Sequence, residues 1–355
     1  MAMDAEIRNP ESEANDGCAE SRAAMSDAEP IIRMRGVHKR FGPLTVLNGL
    51  DLDFRPHETT VLLGPSGTGK SVTLKHIVGL LQPDAGEVYF HDQRVDQLKE
   101  RELVPLRKRI GFLFQMGAMF DSMTVGQNVE FPLVEHTNLN RRQRAEKVDR
   151  LLKMVGLGKT QDKMPNDMSG GQRKRAALAR AIALEPEVML YDEPTTGLDP
   201  IRSDVINELI LALTKQLGMT SIVVTHDMNS ANKIADRMVL LYDGQVAADS
   251  DPCTFRNSKS ELVQRFIRGQ ADQQDIELIR MGFEEGQAPN IESAGEAINT
   301  PTPQRRKTDR PDASAGPATN TPTPPAAALQ SEPTKPDPTE LDTEGEDTPS
   351  VFHDD

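Results

Sequence analysis

Short apolar runs alternate with longer amphipathic stretches through the middle of the chain. The short runs predict buried β-strands, and they are TTVLLG at 59–64, RIGFLFQ at 109–115, EVMLYDEP at 187–194 and TSIVVTHD at 220–227. Apolar residues three or four positions apart predict helices over 70–81 and 141–157, with Gly156 as a stop signal in the second. Because apolar strands separated by helices are typical of a mostly parallel sheet, we predict an α/β fold whose ligands bind beyond the carboxyl ends of the strands.

The two ends of the chain differ in composition from the middle. Residues 1–29 are polar, and 12 of the 25 prolines lie from Pro289 onward, among Thr, Ala, Asp and Glu. Such segments bury too little apolar surface to offset the entropy of the chain. We therefore predict disordered segments over 1–29 and 289–355, a folded domain over 30–269 and a helical extension over 270–288.

The net charge of −14 also belongs mostly to the ends. Residues 284–355 carry −10 and residues 1–29 carry −6, which leaves +2 for the middle of the chain. The acidity therefore indicates nothing about partners of the folded part, and no basic stripe with aromatic residues indicates nucleic acid. Two cysteines suit a reducing compartment. With no signal peptide and no apolar run of about 18 residues, we expect no membrane span.

The stretch GPSGTGKS at 64–71 lies between a predicted strand and a predicted helix. It matches the phosphate-binding P-loop pattern GxxxxGK[ST], in which backbone N–H groups and the helix N-terminus surround the phosphates. Lys70 would contact the β- and γ-phosphates, and the Ser71 hydroxyl suits Mg²⁺. The predicted nucleotide contacts in this loop are Gly64, Pro65, Ser66, Gly67, Thr68, Gly69, Lys70 and Ser71. A chance glycine-rich turn is the alternative, which the strand and helix on either side disfavour.

Two acidic residues end the strand VMLYDE at 188–193. Asp192 is suited to hold Mg²⁺ through water, and Glu193 is placed to take a proton from an attacking water. An ordinary strand end capped by two acids is the alternative for this pair taken alone.

A second anion-binding helix end is predicted where an alanine- and arginine-rich helical stretch begins. Its residues are Ser169, Gly170, Gly171 and Gln172. Because the chain already has one phosphate loop, a second such end is useful only if it serves a nucleotide held by another copy. An N-capped helix without a ligand is the alternative.

In the order of its motifs, the chain resembles the ATP-binding subunits of ABC transporters from about Ile31 to about Gly269. The Q-loop, signature, Walker B acids, D-loop and switch histidine of that family are matched by Gln115, MSGGQ at 168–172, Asp192 with Glu193, GLDP at 197–200 and His226. Phe41 matches the aromatic residue that stacks on adenine, and Met168 replaces the usual leucine. The resemblance implies a RecA-like core, an antiparallel β subdomain and a helical signature subdomain at about 116–185.

The resemblance also implies ATP hydrolysis by two copies that face each other head to tail. Each ATP, with Mg²⁺, would lie between the P-loop of one copy and the signature of the other. Gln115 would sense Mg²⁺ and the attacking water, His226 would hold the γ-phosphate, and Glu193 would act as the base. Asp199 would link the two sites across the interface. A lone histidine after a strand is otherwise more often structural.

The stretch FQMGAMFDSMTVGQNVEFPLVEHTNL at 114–139 looks like that of the ATPases of Mla/Mce-type lipid transport systems. This similarity implies separate integral-membrane permease subunits, phospholipid or other hydrophobic cargo, an Mce-domain lipid-binding partner and a place at the cytoplasmic face of the inner membrane. Met116, Met119 and Phe120 are either a soft apolar surface for a partner helix or part of the core.

Two further points stay open from the sequence. Residues 259–283 predict a helix, with Leu262, Phe266 and Ile267 on one side, that either reaches the partner ATPase or packs on its own domain. The near alternative function is the ATPase of a polar-solute importer, and the distant one is a non-transport ABC ATPase. The distant one is disfavoured because the chain has one cassette and Ser169 lies only 98 positions after Ser71.

Overall fold

The computed structural model describes residues 29–270, which form ten strands and nine α-helices. The two predicted disordered ends, apart from Glu29, and the predicted extension, apart from Gln270, lie outside these residues. Of the helices between residues 29 and 270, none combines the length and the apolar character needed to cross a bilayer.

The strands and helices follow one another along the chain in a mixed order. The strands are β1 (Ile32–Phe41), β2 (Leu44–Phe54), β3 (Thr59–Leu63), β4 (Ala85–Phe90), β5 (Gln93–Arg94), β6 (Ile110–Leu113), β7 (Val188–Asp192), β8 (Thr220–Val224), β9 (Arg237–Tyr242) and β10 (Gln245–Ser250). The α-helices are α1 (Lys70–Ile77), α2 (Glu100–Arg109), α3 (Val125–His136), α4 (Arg141–Met154), α5 (Gly170–Ala181), α6 (Pro200–Leu217), α7 (Met228–Ile234), α8 (Pro252–Arg256) and α9 (Glu261–Arg268).

A six-stranded central sheet has the order β10-β9-β3-β8-β7-β6. The strands from β9 to β6 are parallel, and β10 pairs antiparallel with β9 at one edge. Alternate side chains of a parallel strand enter different apolar clusters. In β3, Val61 and Leu63 join one cluster and Leu62 joins the other. Burial on both faces explains why these strands are continuous apolar runs, and the predicted parallel sheet is confirmed.

The two faces of the central sheet carry different layers. A second sheet, antiparallel in the order β2-β1-β4-β5, packs with α1 and α2 on one face. The other face is covered by a cluster to which α3, α4, α5, α6 and α7 contribute. These layers confirm the predicted RecA-like core with an antiparallel β subdomain and a helical subdomain.

Three helices of the helical layer begin with the same local device. The side chain of the capping residue accepts a hydrogen bond from a backbone N–H three residues later, and the glutamine there bonds back to the capping residue. The pairs are Thr124–Gln127 for α3, Asn140–Gln143 for α4 and Ser169–Gln172 for α5. The helix starts are therefore fixed by local sequence.

All the predicted strands and helices are shorter in the structure by one or more residues, and for two of them the local cause is clear. Helix α1 stops at Ile77 rather than at 81, because Gly79 has a φ of +65°, which no α-helix continues. Strand β6 begins at Ile110, since Arg109 still belongs to the preceding helix α2.

The predicted helix over 259–283 is wrong as one continuous element. Helix α9 ends at Arg268, where Gly269 adopts the left-handed conformation with a φ of +62°. Val263 is buried, and Leu262, Phe266 and Ile267 pack against the cluster of the helical face. These residues of α9 therefore pack on their own domain, and residues 271–283 lie outside the described part.

Candidate nucleotide-binding site

Site residues lie at or just after the ends of four strands of the central sheet, all at the same edge. Gly64 follows β3, Asp192 ends β7, and Gln115 and His226 lie shortly after β6 and β8. Because the carboxyl ends of parallel strands share one edge of a sheet, these residues come together as predicted. A cavity of about 430 Å³ is lined by the P-loop together with Gln115, Glu193 and His226.

The backbone of the P-loop requires glycine at two positions, because neither has room for a side chain. An added Cβ at Gly64, where φ is +148°, would lie 2.3 Å from the carbonyl oxygen of Leu241. At Gly69, where φ is +96°, an added Cβ would lie 2.5 Å from Leu47 Cδ2. The glycines therefore allow the loop to pack directly on β9 and β2 while its backbone turns around a phosphate.

Lys70 begins α1 and extends back into the P-loop. Its Nζ donates to the carbonyl oxygens of Gly64 at 2.7 Å and Pro65 at 2.8 Å. Burial lowers the pKa of Lys70, whereas the carboxylates of Glu193 and Asp192 oppose that shift. A phosphate beside Lys70 supplies the negative charge that a buried ammonium needs.

Ser71 and Asp192 form the oxygen pair predicted for Mg²⁺. Ser71 Oγ donates to Asp192 Oδ1 at 2.6 Å, and Asp192 is 8 % exposed. Burial raises the pKa of Asp192, although the Ser71 hydrogen bond counters it. Hard oxygen donors on a buried carboxylate and a hydroxyl fit Mg²⁺, whose charge would offset the cost of that burial.

Glu193 has a backbone conformation that is rare for a residue with a side chain. Its φ is +51°, and its N–H donates to the carbonyl oxygen of Val224 at 2.9 Å. Glu193 Oε2 accepts from Thr196 Oγ1 at 2.8 Å, and Oε1 lies 2.9 Å from His226 Nδ1. The Glu193 side chain is 13 % exposed and that of His226 is 64 % exposed. The carboxylate is therefore fixed on two sides and open to a water molecule.

An apolar wall closes the outer part of the cavity. Phe41, at the end of β1, is 45 % exposed and lines the cavity with Leu44 and Val46 of β2. Lys39 Nζ lies 5.6 Å from the centroid of the Phe41 ring. An exposed aromatic face beside aliphatic side chains suits a purine base. Leu44 and Val46 were not predicted, because no motif marks them.

The signature residues lie elsewhere on the chain. Ser169 caps α5 and is exposed, and none of the residues from 169 to 172 lines the cavity that contains Lys70. An added Cβ at Gly170 would lie 3.8 Å from Leu198 Cδ2, which places the signature beside the start of α6. Met168 is buried at 5 % exposure, so the replacement of leucine is accommodated in the core.

Asp199 is the cap of α6. Its side chain accepts from the N–H of Arg202 at 3.0 Å, and its Oδ2 lies 3.1 Å from Arg202 Nε. Asp199 is half-exposed, and its predicted role across an interface stays a prediction.

Two residues that organise the site were missed from the sequence. Thr196 positions the Glu193 carboxylate through its hydroxyl. Lys174 of α5 donates to the backbone carbonyl oxygens of Pro194 and Thr196. Thr196 lies between the acids that end β7 and the GLDP motif, yet its contact depends on the turn after Glu193. Lys174 lies in an ordinary basic helix start, which carries no signal for a buried contact.

Comparisons with known proteins agree with this geometry. The family model described as ABC transporter matches residues 47–196. The chain is 40 % identical to the intermembrane phospholipid transport system ATP-binding protein MlaF of Haemophilus influenzae over 242 residues, covering 68 % of this chain and 92 % of that protein. It is 39 % identical to the probable ribonucleotide transport ATP-binding protein mkl of Mycobacterium leprae, covering 67 % of this chain and 69 % of that protein.

One further relative and one solved structure extend the comparison. The chloroplastic protein TRIGALACTOSYLDIACYLGLYCEROL 3 of Arabidopsis thaliana is 38 % identical over 273 residues, which cover 72 % of this chain and 79 % of that protein. The dimeric structure of the bacterial ABC transporter cassette MJ0796 is 34 % identical, with a TM-score of 0.59, and the match covers 62 % of this chain and 98 % of that one.

Proposed function

This chain belongs to the ABC transporter ATP-binding proteins and is an ATP-hydrolysing subunit of that family, and from this premise we propose that it drives a separate membrane permease. Two copies would bind ATP between them. The cargo would be phospholipid or another hydrophobic molecule that crosses a bacterial envelope. The observation that carries the proposal is the single cavity that joins the P-loop, Gln115, Glu193 and His226.

The arrangement of that cavity supports hydrolysis with defined roles. Lys70 would hold the β- and γ-phosphates, and Glu193 would take a proton from the attacking water while the γ-phosphoryl group leaves ADP. His226, 2.9 Å from Glu193, would position that water. Mg²⁺, held by Ser71 and Asp192 with Gln115 nearby, would neutralise charge on the phosphates.

The position of the signature supports the binding of ATP between two copies. Ser169 is exposed at the N-terminus of α5 and lies outside the cavity of its own P-loop. A helix N-terminus attracts an anion, so an ATP held by a second copy would satisfy it. The two copies would then separate when the γ-phosphate is cleaved, because the shared charge that joined them is lost.

A groove beside β6 supports contact with a permease. It has a volume of about 530 Å³, and its walls include Phe112, Phe114, Phe120 and Phe131. Phe120 is 42 % exposed, and Met119 packs on the core. Met116, nearby in sequence, is 87 % exposed. An apolar helix of the permease would therefore pack against exposed aromatic side chains here.

The charges around the same groove favour an acidic partner. Its lining includes Arg107, Lys108 and Arg180, and no aspartate or glutamate is among its described lining residues. Arg180 donates to the carbonyl oxygens of Gly117 and Ala118, which fixes the loop that leads to Phe120. Arg107 is already ion-paired with Glu100, so a carboxylate on the proposed permease helix would pair with Lys108.

The cargo is proposed from relatives. The MlaF and mkl proteins are named for different cargo, phospholipid for one and ribonucleotide for the other. The Mla/Mce-like stretch at 114–139 favours phospholipid, and ribonucleotide transport is the second candidate. An Mce-domain protein would be the further partner, and the complex would place this chain at the cytoplasmic face of the inner membrane.

The experiment that tests this proposal uses the complex purified from native membranes with the full chain as bait. Rebuilt into vesicles, it should move a fluorescent phospholipid in an ATP-dependent manner and leave labelled ribonucleotides in place. Phe120→Glu should abolish co-purification of the permease while the isolated chain keeps its ATPase activity. ATP-dependent movement of ribonucleotides, with phospholipid left in place, would establish the second candidate instead.

A further inference from the structure

Lys174 is a buried cation with no part in the chemistry described above. It lies in the second turn of α5, five residues after Ser169, and is 7 % exposed. Its Nζ donates to the backbone carbonyl oxygens of Thr196 at 2.6 Å and Pro194 at 2.8 Å, and more weakly to that of Glu193 at 3.4 Å. Within residues 29–270 no carboxylate pairs with it at ion-pair distance.

These contacts match the needs of a buried ammonium. An ammonium group has three donors, and three carbonyl oxygens of one turn, residues 193–196, receive them. Burial lowers the pKa of Lys174, and the nearby Glu193 charge opposes that shift. Because an unpaired buried cation is costly, the turn and the helix are held at a fixed distance from each other.

The same turn determines where the Glu193 carboxylate lies. Glu193 has a φ of +51°, and Thr196 donates its hydroxyl hydrogen bond to Glu193 Oε2. Lys174 holds the main chain at both ends of this contact. It therefore acts on the carboxylate through Thr196 and through the backbone of Glu193.

We infer that Lys174 is a positioning residue that links the two nucleotide sites of the dimer. This inference rests on the proposed function, in which Ser169 contacts an ATP bound by the second copy while Glu193 serves the ATP of its own copy. A displacement of α5 when Ser169 engages that ATP moves the 193–196 turn with it. The base of one site is thereby oriented by occupancy of the other.

The test compares three variants of the full chain by steady-state ATP hydrolysis. Lys174→Met keeps the apolar stem and removes the donors, and its kcat should fall about tenfold or more while KM for ATP changes less than about twofold. Its ATP dependence should also lose cooperativity. Lys174→Arg should recover most of kcat, because a guanidinium can donate to the same carbonyl oxygens.

Arg175→Met is the matched control. Arg175 is the next residue of α5, and its NH1 donates to the carbonyl oxygen of Val155 at 3.1 Å, away from the 193–196 turn. Its removal should leave kcat within about twofold of the wild type, since the base is untouched. Thermal unfolding of all three variants checks that each is folded. If Lys174→Met is not, Thr196→Val, which removes the hydroxyl through which Lys174 acts, should show the same fall in kcat, and a wild-type kcat in that variant would overturn the inference.

A double-mutant cycle with Glu193→Gln separates this inference from the proposed function. If Lys174 acts through the base, adding Lys174→Met to Glu193→Gln should lower the residual turnover no further. An equal further loss in that background, or wild-type kcat and cooperativity in Lys174→Met, would overturn the inference. Loss of turnover in Glu193→Gln alone supports the proposed function whatever Lys174 does.

Discussion

Glu193 combines an unusual backbone with a tightly held carboxylate. The left-handed φ of +51° is costly for a residue with a Cβ, and the hydrogen bond from its N–H to Val224 and the contact with Thr196 maintain it. Strain of this kind is tolerated where it places a reactive group. The open side of the carboxylate, next to the exposed His226, is where the attacking water would lie.

Glu193→Gln should therefore separate binding from hydrolysis. The amide keeps the size and can keep the Thr196 contact, but it cannot accept the proton, so kcat should fall about 100-fold or more. ATP binding should remain, and the protein should accumulate as a closed dimer. Turnover and light scattering after gel filtration measure both effects. Normal turnover in this variant would remove Glu193 from the role of base.

His76 is a second informative residue, on the helix that follows the P-loop. It is 1 % exposed, its Nδ1 lies 2.7 Å from the carbonyl oxygen of Val72, and Nε2 is without a hydrogen-bond partner in the described structure. Burial lowers the pKa of His76 and outweighs the hydrogen bond to Val72 and the Asp84 charge, which oppose the shift, while the Lys39 charge adds to it. The folded protein therefore holds this ring neutral.

His76 should make the fold sensitive to mild acid. Its folded pKa lies below its unfolded pKa, so the stability it permits is present above the unfolded value and is lost as the pH falls through the folded value. Thermal unfolding should show a lower midpoint at about pH 5.5 than at about pH 7.5, and His76→Leu should show a smaller difference. An unchanged difference in His76→Leu would assign the acid sensitivity to other groups.

The loop between β6 and α3 shows how one side chain supports an element. Asn128 is completely buried, and its Oδ1 accepts from the N–H of Phe120 at 2.8 Å. Its Nδ2 donates to the carbonyl oxygens of Phe120 and Thr124, both at 3.0 Å, and of Met123 at 3.1 Å. Asn128 thus fixes the backbone of Phe120, which lines the groove.

Asn128→Ala should loosen the part of this loop from Phe120 to Thr124, where its side chain makes its hydrogen bonds. Leaving several buried backbone groups unpaired should cost about 2 kcal/mol of unfolding free energy, measured by urea denaturation. Asn166→Ala, at an exposed asparagine of a nearby turn, is the control and should be neutral. An equal stability for both variants would contradict the account of this loop.

The elements that the sequence predicts well are those whose signals are local. A P-loop, its flanking strand and the acids at the end of β7 are adjacent in sequence, and parallel pairing brings strand ends together without further information. No regular alternation of apolar and polar residues predicts strand β1, because three register shifts against β2 interrupt the alternation of its side chains.

Contacts between residues that are far apart in sequence could not be predicted either. Lys174 reaches the turn after Glu193 only because α5 packs beside it, and Leu44 and Val46 line the cavity because β2 crosses the P-loop. The length of α9 was overestimated for a simpler reason. Apolar spacing continues past Arg268, but Gly269 ends the helix.

On the whole molecule, the P-loop cavity and the exposed Ser169 at the start of α5 lie apart, since none of the residues from 169 to 172 lines that cavity. In the proposed dimer each would be half of a complete site. A two-fold pair of copies, each offering one half to the other, would complete two sites at once. The central claim is that Ser169 serves the ATP of the other copy.

Mixing two inactive variants tests that claim directly. Lys70→Ala lacks its own phosphate contact and Ser169→Arg lacks a usable signature, so each alone should hydrolyse almost no ATP. A mixed dimer contains one site with both parts intact, so an equal mixture should regain a measurable rate of at most roughly a quarter of the wild-type value, and less than that if Lys174 couples the intact site to the impaired one. If the mixture stays as inactive as its components while each variant still folds, the signature does not act across the dimer, and the account is wrong.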